Sequence, residues 1–180
     1  MTTKETWLAV AHAGTAAIGA RLGPDGDWEP AAFMFQGDAP EALIAISFED
    51  DKEKEQVIRR LGIYAIEHKI TGVGLVLSSW MATLKEGEEL EGPVSEHSDR
   101  EEVLLLHWLS ATESYTEMAP INRAPGESPS LGEWEALPAG EDSWSRFEVL
   151  RRALVPTSEE DIAKMAAEVL AEAEHYRGGE

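Results

Sequence analysis

Residues Thr71 to Thr83 limit what this chain can fold into more than any other stretch. Val73, Leu75 and Leu77 alternate there with Gly74, Val76 and Ser78, so both sides of an extended run are apolar or small. Such a strand must be covered on both faces, which places it centrally in a sheet with elements packed above and below. The next apolar run, Glu102 to Ser110 with VLLLHWL at its heart, reads as a second strong strand, and Glu113 to Met118 as a third.

Ahead of this group, Ala31 to Gln36 and Ala42 to Phe48 read as a hairpin around Gly37-Asp38-Ala39-Pro40. A helix follows, opened by Asp50 and Asp51. Its face of Val57, Ile58, Leu61, Tyr64 and Ala65 is backed by Lys52, Glu53, Lys54, Glu55, Arg59 and Arg60. Thr3 to Leu22 predicts a first helix with Trp7, Leu8, Ala11 and Ile18 at helical spacing. Gly14 and Gly19 weaken it by about 1 kcal/mol each. Gly23-Pro24-Asp25-Gly26-Asp27 is turn chemistry, and Trp28, Pro30 and Ala31 stand where a calcium loop would need acids.

Residues 119–143 carry Pro120, Pro125, Pro129 and Pro138 and read as a long irregular connection. Ser143 to Val155 suits a helix through Trp144, Phe147, Leu150 and Leu154, or a strand through Phe147, Val149 and Arg151. Residues 157–177 predict a C-terminal helix: Thr157 and Glu160 match a capping box, and Ile162, Met165, Ala166, Val169, Leu170 and Ala173 form one apolar stripe. The order β-β-α-β-β-β with helices at the ends predicts a single globular α+β domain over residues 1–180, its antiparallel or mixed sheet packed against helices.

Charge narrows the partners. The chain holds 35 Asp plus Glu against 15 Lys plus Arg, a formal charge of −20. A nucleic-acid backbone needs a basic patch, and an anionic membrane repels an acidic surface, so neither is an expected partner. There is no cysteine, which excludes disulfides, thiolate metal sites and a cysteine nucleophile. No apolar run approaches the ~18 residues of a membrane span, and the N-terminus does not read as a signal peptide, so a cytoplasmic protein is expected. Phosphate-loop, nucleophile-elbow and H-E-x-x-H patterns are absent, and no cofactor is expected.

The candidate residues cluster around Pro93 to Leu104. If its second half is extended, His97, Asp99 and Glu101 point to one side, a row that could hold a divalent cation or supply an oriented general base. The alternative is a solvated acidic loop tied down by Arg100. If the strands ending at Trp80 and beginning near Glu101 are adjacent, Ser78, Trp80, Asp99, Arg100 and Glu101 converge at one end of the sheet. There too a structural alternative stands, with Trp80 covering the core's edge. Trp134, within Glu133-Trp134-Glu135, is either an exposed partner anchor or a clamp that folds its loop back onto the sheet.

Ser78-Ser79-Trp80-Met81 and Ser95-Glu96-His97-Ser98-Asp99-Arg100-Glu101-Glu102 together resemble a family of small uncharacterised bacterial and phage proteins. In that family a strand ending in a Ser-Glu-Ala-Trp-like element is followed by a Ser-x-x-Pro-Asp-Arg-x-Glu-like element. The resemblance spans about residues 73–110, with Ser78 in place of the acid and Ser98 in place of the proline. It implies an order of elements and no activity. Three functions follow as expectations: a non-enzymatic interaction or structural protein, a candidate homo-oligomer through the C-terminal stripe or Trp134; a metal-assisted hydrolase built on His97, Asp99 and Glu101; and an acidic nucleic-acid mimic. Eight acids between Glu86 and Glu102 make that loop the place where acidity could be functional.

Overall fold

The computed structural model describes residues 1–48, 51–82, 92, 94–96, 98–138, 147–154, 163–164 and 167. The first helix, α1 (Thr3–Gly19), opens on a capping box: Thr2 accepts from the Glu5 backbone N–H, and the Glu5 carboxylate accepts from that of Thr2. Trp7, Ala11, Thr15 and Gly19, spaced by four, form its buried stripe. Ile18, expected on that face, is 49% exposed, because a stripe of period four drifts away from it.

Strands β1 (Ala31–Gln36) and β2 (Ala39–Ala45) form the expected hairpin, but β2 starts and ends three residues early. The turn is only Gly37-Asp38, with Gly37 at φ 60°, a backbone state glycine enters without steric cost. Pro40 lies inside β2 at a bulge opposite Phe35, which an edge strand tolerates. Helix α2 (Asp51–Glu67) then crosses over to β3 (Gly72–Ala82), which pairs with β1 on one side and with β4 (Arg100–Ser110) on the other. β5 (Ser114–Asn122) continues from β4, and two short strands, β6 (Ser130–Leu131) and β7 (Glu135–Ala136), lie along β5. The order is β2-β1-β3-β4-β5-β6, and every pairing is antiparallel. The fold is α+β.

The central strand is covered on both faces, as its alternation requires. Val73, Leu75 and Leu77 face a core shared with Ile58, Leu61 and Ala65 of α2. Leu150, Ala153 and Leu154, from and just after the short helix α3 (Glu148–Ala153), complete it, so the ambiguous segment is helical there. The opposite face packs under α1 with Val76, Leu104, Leu106, Trp7, Trp28 and Trp108. Gly72 and Gly74 explain how two indoles fit on that face. A Cβ at Gly74 would stand 2.1 Å from Trp7, and one at Gly72 2.6 Å from Trp108, so the rings rest directly on strand backbone.

The irregular connection expected over 119–143 starts only after Asn122 and carries the two-residue strands β6 and β7, and residues 139–143 lie outside the described residues. β5 runs on to Asn122 through Pro120, whose carbonyl accepts from the Gly132 N–H on the side away from β4. In a strand a residue's N and C=O point the same way, so the N–H that Pro120 lacks is not missing from the β4 ladder. Leu137 N–H donates to the Thr116 carbonyl, holding the returning chain along β5. The expected C-terminal helix over 157–177 lies outside the described residues, except for Ala163, Lys164 and Ala167, which are helical. No described helix is long and apolar enough to cross a membrane.

Candidate functional site

The β3–β4 pairing puts Ser78 opposite Leu104, Trp80 opposite Glu102 and Ala82 opposite Arg100. Directly opposed residues share a face, and Leu104 belongs to the core under α1, so Ser78, Trp80, Arg100 and Glu102 all emerge on the α1 side of one sheet end. The Arg100 guanidinium lies 5.1 Å from the centre of the Trp80 ring, which is 43% exposed. Three of the expected residues, Ser78, Trp80 and Arg100, are thus brought together.

Glu101 is not part of this group: it pairs with Met81, so it points to the other face, and it is exposed, as is Asp99 in the turn before the strand. Among the described residues the backbone is not the extended row required for a His97, Asp99 and Glu101 ligand set: Val94–Glu96 is a single 3-10 turn, Ser98-Asp99 is a turn, and the strand begins only at Arg100. His97 itself lies outside the described residues. Among the described residues no group of three His, Asp or Glu could hold a metal ion.

Asp27, Glu102 and Arg123 complete the cluster. Arg123 grips Glu102 with two parallel bonds, Nε to Oε2 at 2.6 Å and Nη2 to Oε1 at 2.7 Å, and donates from Nη1 to the Gly26 carbonyl at 2.7 Å. Its Nη2 is also 3.5 Å from Asp27, whose other oxygen accepts from Ser78 at 3.4 Å. Hydrogen bonding to Glu102 raises the Arg123 pKa above its already high ordinary value. The Gly23 to Asp27 turn is thereby tied to the sheet. One signal could have found Arg123: it is the sole Lys or Arg between Arg100 and Arg146 in a very acidic chain.

A second polar cluster lies under α1. His12 bonds through Nε2 to the Glu117 carboxylate, which is buried and also accepts from the Tyr115 hydroxyl at 3.1 Å. Burial, together with Glu117, raises the Tyr115 pKa. Trp134 stacks on the His12 ring at 4.8 Å and joins the core beside Leu131, so it is the clamp of its two readings. A histidine oriented by a buried carboxylate has the geometry of a proton carrier, and here the indole covers one face of its ring. On the other face, a small apolar recess lies between α2 and the sheet, lined by Ile46, Phe48, Val57 and Phe147 with Lys54 beside it.

No protein-family model matches the chain, and no curated protein or solved structure matches it either. The functional argument therefore rests on this geometry.

Proposed function

We propose that this chain is a non-enzymatic interaction protein that associates with itself. The observation that carries the reading is an uncharged apolar flank on a chain of charge −20. From Thr6 to Gly19, α1 contains no Asp, Glu, Lys or Arg, and Val10 and Ile18 are 62% and 49% exposed. Thr3 and Val10, seven residues apart, share one flank of the helix, and the Thr3 hydroxyl bonds Asp38 in the β1–β2 turn, so Val10 lies on the hairpin side. Leu43 of β2, opposite Phe33 on the same face, is 65% exposed.

Sheet geometry explains the bare flank. Strands are ~4.8 Å apart and a helix is ~10 Å wide, so one helix covers two strands. α1 sits over β3 and β4 with its Trp7 reaching Phe33 of β1, Leu131 and Trp134 of the 122–138 return pack into the same core, and β2 is left open on that side.

Both other expectations have weaker support. The hydrolase has no extended ligand row among the described residues, and the mimic needs a rigid acidic face, whereas four of the eight Glu86 to Glu102 acids lie outside the described residues. Kinship with the small bacterial and phage proteins, and a cytoplasmic location in keeping with a cysteine-free chain, belong to the same proposal. Sedimentation equilibrium across a concentration series tests it. Association should strengthen between 0.05 and 0.5 M NaCl as like-charge repulsion is screened, since the Debye length falls from ~14 Å to ~4 Å. A strict monomer at every concentration in both salts would remove the reading.

A further inference from the structure

Building on that self-association, we infer that two copies join by antiparallel pairing of β2 with β2 of the second copy, about a two-fold axis at Ile44. Backbone direction is the first argument. The Ile46 N–H donates to the Pro30 carbonyl, and Ala45 pairs with Ala31 and Ile44 with Ala32. Residues 42, 44 and 46 therefore turn their N–H and C=O toward β1, while Leu43 and Ala45 turn theirs outward. Among the described residues no strand takes up those outward groups. The opposite sheet edge is managed differently, with β6 and β7 laid along β5.

The free stretch is its own complement. With the axis at Ile44, Leu43 of each copy faces Ala45 of the other and exchanges both backbone bonds with it. Four hydrogen bonds then form from a window that Pro40 and its bulge bound at one end. Side chains fit the same register. On the α1 face each exposed Leu43 meets a small Ala45, and on the α2 face Ile44, already packed against the core, meets its own copy.

Charge chooses a second copy over an unrelated partner. Residues 42–46 are uncharged, and the one acid of the strand, Glu41, falls opposite Ser47 and already has His68 at 3.9 Å. Two strongly acidic chains thus touch where neither brings a charge, and the contact is isologous.

The natural absence of cysteine gives a clean test. A double variant, Leu43→Cys with Ala45→Cys, places cysteines opposite each other across the axis at about 5.5 Å between Cα atoms, within disulfide range. In a glutathione buffer with 0.5 M NaCl it should form a covalent dimer, while neither single variant does, because each is then opposite a residue that cannot bridge. Leu43→Lys, a change at an exposed side chain, and Ala45→Pro, which removes an outward donor and leaves the β1 ladder whole, should each raise the dimer Kd roughly tenfold or more. Circular dichroism should show both variants folded. An oligomer that persists in both and yields to Val10→Lys with Ile18→Lys overturns the β2 assignment and leaves self-association standing. A natural chain that stays monomeric overturns both.

Discussion

His107 occupies the middle of β4, 4% exposed, with Nδ1 bonded to the Thr116 hydroxyl at 2.6 Å and its ring 4.9 Å from that of Phe147. Burial lowers its pKa from 6.5 to about 3. In the unfolded chain the imidazole binds a proton below about pH 6.5, whereas in the fold it stays neutral until about pH 3. Its contribution is therefore intact above pH 6.5 and is lost as pH falls from there toward 3, at up to ~1.4 kcal/mol per unit. His107→Gln keeps a polar partner for Thr116 and removes the titration. Between pH 7 and 4.5 the variant should lose about 2 kcal/mol less stability than the natural chain, read from urea midpoints at each pH. Equal losses would show that the folded protein accepts the proton.

At the scale of elements, the 122–138 return is held by β6, β7 and the Trp134 ring on His12. Trp134→Ala should make this segment the first site of limited proteolysis and lower global stability by about 2 kcal/mol, less than a fully buried Trp because the ring is only partly covered. Unchanged cleavage would mean that the backbone pairing alone holds the return. The central strand was readable from its alternation, and α2 from its one apolar face, since both patterns are local. Pro40 and Pro120 misled at β2 and β5. A proline reads as a strand stop, yet each here sits where the strand can spare its donor, and only the neighbouring strand reveals that. The clusters were less readable still. His12 and Glu117 are 105 residues apart, and Arg123 and Glu102 are 21 apart, so no spacing along the chain announces either pair. Ser78, Trp80 and Arg100 could be grouped in advance because strand adjacency alone decides their meeting. The turn at Ser98-Asp99, which breaks the proposed ligand row, was hidden by a run of charged residues that fits loop and strand alike.

For the whole molecule, the balance of 35 acids against 15 bases decides how stability answers to salt. Two effects oppose each other. Favourable pairs such as Lys4 with Glu113 and Arg123 with Glu102 are screened by added salt, which lowers stability. Repulsion among the surplus carboxylates is screened as well, which raises it, because the compact state holds those charges closer together than the unfolded chain does. Both named pairs are solvent-accessible, and such pairs contribute ~0–1 kcal/mol each and are screened by salt. Twenty unbalanced charges outnumber the pairs that salt can weaken. The melting temperature should therefore rise by several degrees between 0.02 and 0.5 M NaCl, and rise similarly in KCl, with most of the gain below ~0.2 M, where the Debye length shortens most. Measuring at a protein concentration low enough to keep the chain monomeric separates this effect from salt-promoted association. A melting temperature that fell with salt would show that ion pairs, not surplus acidity, govern the electrostatics of the fold.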